Sequence, residues 1–95
     1  MDIESFLQSL QNSQPPRVNE YATALWHDAK GNWQEAHSLI QDIENADAAW
    51  IHAYLHRKEG DRGNAAYWYK RAGKSMPAYS LQQEWEEITR ALIAK

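Results

Sequence analysis

The chain has 95 residues, no cysteine, five Trp and five Tyr, so its core must come from packing alone, without disulfides or a thiolate metal site. A net charge of −3 argues against general nucleic-acid binding, which rests on phosphate neutralisation, and no apolar run is long enough for a transmembrane helix. The start MDIESFLQSL is acidic and amphipathic, without the basic start and long apolar centre of a secretory leader; with the lack of Cys, this predicts a cytoplasmic location and no membrane partner.

Apolar residues recur at helical spacing from one end to the other, and nothing alternates with period two for long enough to make a sheet. Ile3, Phe6, Leu7 and Leu10 form the stripe of an N-terminal helix within 1–14, with Asp2 as its cap and Pro15-Pro16 as its breaker. A second helix is expected from Arg17 to Gly31, carrying Val18, Tyr21, Ala22, Leu25 and Trp26 on its apolar face. Gly31-Asn32 stops it and caps a third, which starts near Trp33 and shows Ala36, Leu39, Ile40 and Ile43, with His37 beside them. Asp47 is the expected cap of a fourth helix, from about Ala48 to Glu59, which is apolar or aromatic nearly all round and therefore central. Gly60-Asp61 leads into a fifth, about Gly63–Lys74, closed by Gly73 and Pro77. Ser80 with Gln83 has capping-box spacing and opens a last helix striped by Leu81, Trp85, Ile88, Ala91 and Leu92. The fold class is all-α, with about six helices.

Shifting the sequence by 29 positions brings two units into register. Tyr21 meets Trp50, Ala24 meets Ala53, His27 meets His56, Gly31-Asn32 meets Gly60-Asp61, Ala36 meets Ala65, and Leu39-Ile40 meets Trp68-Tyr69. The matched alanines let two helices approach where larger side chains would overpack. One hairpin then spans 17–46 and a second 47–77, with helices at 1–14 and 80–95 as caps. In its order of Ala53, His56, Gly60-Asp61, Ala65, Tyr69, Ala72 and Pro77, the second unit resembles the tetratricopeptide-type helical hairpin. The first matches at Ala24, Gly31-Asn32, Ala36 and Ile40 and then departs, with a period of 29 rather than about 34. The stretch WIHAYLHRKEGD with NAAYWYKRAG is also similar to small bacterial proteins of unassigned function. The tetratricopeptide resemblance implies antiparallel hairpins whose first helices line a concave ligand groove, here Trp50, Tyr54, Arg57 and Lys58 with Tyr21, Leu25 and Asp28.

Charge is unevenly spread. Between residues 48 and 78 six Lys or Arg face only Glu59 and Asp61, while the remainder carries four against eleven acids. Trp50, Tyr54, Arg57 and Lys58 lie at i, i+4, i+7 and i+8 and share a helix face, joined in composition by Tyr67, Lys70 and Arg71. Arg forks onto carboxylate or phosphate and aromatics stack on apolar bodies, so this face suits an anionic peptide, a protein segment or a small molecule. A plainer role for the same residues puts Trp50 and Tyr54 in the core and pairs the cations with the protein's own acids. A second site class uses His52 and His56, at i, i+4, with His27 at the repeat-matched position: three imidazoles for a divalent metal, in a small metal-dependent or acid–base enzyme, or else structural residues at the hairpin interface. Helical residues one apart point about 100° apart and residues two apart about 200°, so neither His27-Asp28 nor Glu35 with His37 is a ready-made dyad. No nucleophile triad, phosphate-cradling loop or dinucleotide fingerprint is present. The sequence therefore favours a non-catalytic binding or adaptor protein without a cofactor. If the terminal helices fall short as caps, Ile3, Phe6, Leu7 or Trp85 would mark a weak homodimer face.

Overall fold

Short polar side chains set where every helix begins. In the computed structural model, which describes residues 1–95, Asp2, Asn19, Asn32, Asn45, Asp61 and Ser80 each accept a hydrogen bond from the backbone N–H three residues on. The helices are α1 Ile3–Ser9, α2 Glu20–Ala29, α3 Trp33–Ile40, α4 Ala46–Lys58, α5 Arg62–Ala72 and α6 Leu81–Leu92. Two starts differ from expectation. The second helix begins at Glu20, not Arg17, because Asn19 takes the cap after Pro15-Pro16 and also donates to the Leu92 carbonyl at 2.8 Å, tying this end to α6. The fourth is capped by Asn45 rather than Asp47, which sits in the first turn and pairs with Lys95 at 3.2 Å.

The two hairpin turns are the same device built twice. Gly31 and Gly60 take positive φ of 84° and 89°, which only glycine adopts without strain. In the first turn the N–H groups of Gly31 and Asn32 donate to the carbonyls of Asp28 and His27; in the second those of Gly60 and Asp61 donate to Arg57 and His56. Asn32 and Asp61 thus close one helix and cap the next. No slack remains in the link, and α2 folds back on α3 as α4 does on α5.

Ala24, Ala36, Ala53 and Ala65 are fully buried, as close approach of paired helices requires. Every residue from Ala48 to His56 is buried, so α4 is the central helix, with α3, α5, α6 and α2 around it. Indole N–H groups tie neighbouring elements: Trp33 donates to Leu55 O at 2.8 Å, Trp85 to Leu25 O at 2.9 Å and Trp26 to Ser9 O at 3.3 Å. Phe6 stacks on Trp85 with ring centres 6.1 Å apart, which locks α1 to α6. Phe6 and Trp85 are therefore buried within the chain, while Ile3 and Leu7 are half-buried. No helix is long and apolar enough to cross a membrane.

Candidate functional site

Trp50, Tyr54, Arg57 and Lys58 do share one face of α4, where two buried carboxylates bond to them and a cleft of about 240 Å³ opens beside Tyr54 and Lys58. Asp28 of α2 accepts from the Tyr54 hydroxyl at 2.8 Å and from Lys58 Nζ at 2.9 Å. Glu84 of α6 accepts from Arg57 at 2.8 Å, from Trp50 Nε1 at 3.3 Å and from the Tyr69 hydroxyl at 2.7 and 2.6 Å. Arg57 also donates to the Tyr79 carbonyl. Burial and the adjacent carboxylate hold both the Tyr54 and the Tyr69 hydroxyl far above the ordinary phenol range, so each stays a donor. The two positive charges are met by two negative ones, and α6 packs against this side of α4. For these four residues the geometry is that of the plainer role, aromatics in the core and cations paired with the protein's own acids.

Three histidines gather on the other side of α4. His52 and His56 stack at 4.8 Å, and His37 of α3 closes on them edge-on, at 4.7 and 5.5 Å between ring centres. His37 Nε2 lies 3.1 Å from His52 Nε2, and one donor atom from each ring lies within 4.8 Å of the others. Trp33 lies flat on His37 and Trp68 flat on His52. His27, the repeat-matched residue, is elsewhere, edge-on to Trp26. Repeat matching missed His37 because its counterpart 29 residues on is Ala66. A usable signal was present: Trp33 and His37 are an i, i+4 pair on the helix next to that of His52 and His56.

Burial, followed by the neighbouring His37, His56 and Arg71, depresses the His52 pKa from 6.5 to about 4. His37 is lowered for similar reasons, burial first and then His56. His52 is thus neutral in the fold but titrates normally once unfolded. Its contribution to stability is complete above about pH 6.5 and is lost as pH falls toward 4, where the unfolded chain holds the extra proton, a swing on the order of 3 kcal/mol. Urea midpoints of the metal-free protein should fall across that window, and fall less in His52→Gln.

A group of cations lies on α5 and just past its C-cap. From residue 62 to 74 there are four Lys or Arg and no acid. Tyr67, Lys70 and Arg71 stand at i, i+3 and i+4 on an exposed face of α5, and exposed Lys74 follows the left-handed Gly73 cap, beyond the helix. Arg71 lies over Trp68 at 4.9 Å and donates to the Tyr67 hydroxyl at 3.2 Å, and Lys74 lies over Trp50 at 4.0 Å. None of Arg62, Lys70, Arg71 and Lys74 forms an ion pair, whereas Arg57, Lys58 and Lys95 all do. A cleft of about 230 Å³ opens beside this face, lined by Gln41, Ile43, Asn45, Ala49, Trp68 and Arg71 among others. No family model matches the chain, and no curated protein or solved structure matches it either.

Proposed function

We propose that this chain is a small, non-catalytic helical-hairpin binding module of tetratricopeptide-like plan, which docks an acidic segment of a protein partner on the outer face of α5. The observation that carries this is the run of residues 62–74, which holds four cations and no acid, in a protein whose remainder is acidic, with none of the four in an ion pair. Lys70, Arg71 and Lys74 supply charge, exposed Tyr67 supplies a flat contact, and Arg71 is held in place by the rings beneath it. The neighbouring cleft has room for one side chain of the bound segment. Trp50, Tyr54, Arg57 and Lys58 serve this function indirectly, by fixing α4, against which α5 packs.

The test is fluorescence anisotropy with labelled acidic peptides, including an oligoglutamate, against wild type and Lys70→Glu/Arg71→Glu/Lys74→Glu. The variant should fold as wild type does, because the three residues are exposed. Wild-type binding should weaken with added salt, and the variant should bind at least about tenfold more weakly, as expected for several exposed charge contacts of a few tenths to 1 kcal/mol each. Unchanged affinity in the variant would remove this face from the function.

A further inference from the structure

We propose that His37, His52 and His56 form a binding site for one transition-metal dication of the zinc class, on the opposite side of α4 from the buried carboxylates.

The donors come from two rigid helices. His52 and His56 are one turn apart on α4, and His37 reaches them from α3. Two imidazole nitrogens on a tetrahedral ion, each about 2.0–2.1 Å from it, stand roughly 3.3 Å apart. The His37 and His52 Nε2 atoms are 3.1 Å apart, so a small opening of the pair admits the ion. A hydrogen bond between these two rings explains that one contact, but it gives no reason for the third ring to be there.

The third ring carries the second observation. His56 Nδ1 is the one buried side-chain polar atom without a hydrogen-bond partner. It lies 3.5 Å from Glu59 Oε2, outside aligned hydrogen-bond geometry. If His56 ligates through Nε2, its Nδ1 must carry the proton, and Glu59 is the carboxylate placed to accept it. That is the usual outer partner of a metal-bound imidazole, and it adds a negative charge next to the cation. Trp33 and Trp68, stacked on His37 and His52, hold those rings and form an apolar wall. His37 is only half-buried, which leaves an approach from solvent.

Three imidazoles and no thiolate suit Zn²⁺, Co²⁺, Ni²⁺ or Cu²⁺ rather than Ca²⁺ or Mg²⁺, which prefer oxygen. Three protein ligands leave a coordination position for water or for an atom of a ligand. His56, Glu59 and Asp61 also come together, but the two carboxylates are exposed to water, so this group is a solvated helix end that shares His56 with the site.

The test uses full-length protein without a histidine tag. Isothermal titration with Zn²⁺ should give one ion per chain, and Co²⁺ should give the intense visible bands of a four-coordinate ion. His37→Ala, which removes a half-buried ring and leaves the core intact, should weaken Zn²⁺ binding by more than the 10–100-fold typical of losing an outer partner. Glu59→Gln should weaken it about tenfold. His27→Ala should bind as wild type does. Circular dichroism on each variant separates loss of a ligand from loss of fold, and the half-buried His37 keeps the test open if His52→Ala or His56→Ala unfolds. No stoichiometric Zn²⁺ binding, full binding in a folded His37→Ala, or loss of binding in a folded His27→Ala would each overturn the site.

Discussion

Glu84→Ala is expected to lower stability by about 3–5 kcal/mol, the cost of breaking a buried ion pair from one side. For a chain of this length the whole folding free energy is about 5–14 kcal/mol, so the loss is a large share of it. Glu84 is 1% exposed and is the common acceptor for Arg57, Trp50 and Tyr69. Its removal leaves a half-buried guanidinium without a counter-charge and two buried donors without an acceptor. The loss therefore exceeds that of an exposed salt bridge, which is worth about 0–1 kcal/mol. Urea denaturation of Glu84→Ala, Arg57→Ala and the double variant measures the coupling. The double variant should be less destabilised than the sum of the two single changes, because it no longer strands the guanidinium. A Glu84→Ala loss below about 1 kcal/mol would mean that the carboxylate is solvated rather than central.

Trp85→Ala should cost a similar amount, about 3–5 kcal/mol. The indole is 3% exposed, stacks on Phe6 and donates to the Leu25 carbonyl from the far end of the chain, so one side chain joins α1, α2 and α6. Cutting it to a methyl group leaves a cavity that three helices cannot all close. At about 4–8 °C per kcal/mol for a domain this small, the fall in Tm should be at least roughly 12 °C. Trp85→Phe keeps most of the volume but removes the donor from Leu25 O, and should cost about 1–3 kcal/mol. If the two variants melt alike, the hydrogen bond rather than the packing is what Trp85 contributes.

Helix caps, glycine turns and small interface residues could be read from the sequence because each acts over three to five residues. Asn32 and Asp61, Gly31 and Gly60, and the four matched alanines stand where that local chemistry puts them. The centrality of α4 was legible too, since a helix apolar on all sides has no face to give to water. The pairing of its aromatic-basic face with buried acids was harder to see. It depends on Asp28 and Glu84, acids that hydrophobic patterning assigns to solvent by default, although both lie on apolar stripes. Asp28 follows Ala24 and Leu25 at i+4 and i+3, and Glu84 precedes Ile88 and Leu92 at i+4 and i+8. An acid on an apolar stripe is a demand for a buried donor, and Tyr54, Lys58, Arg57 and Tyr69 are those donors. His27 and His37 exchanged places for a related reason. Sequence repeat matches equivalent positions in two hairpins, whereas the histidine cluster arises from the contact between them, where α3 meets α4.

The most direct measurement of the central claim, that α4 turns its charged row inward and offers imidazoles to an ion on its other side, is nuclear magnetic resonance of the histidine ring nitrogens during Zn²⁺ addition. The nitrogens of His37, His52 and His56 should shift together and saturate at one equivalent, while those of His27 stay in place. Movement of His27 with His52 and His56 while His37 stays still, or independent shifts of all four rings without saturation, would contradict it.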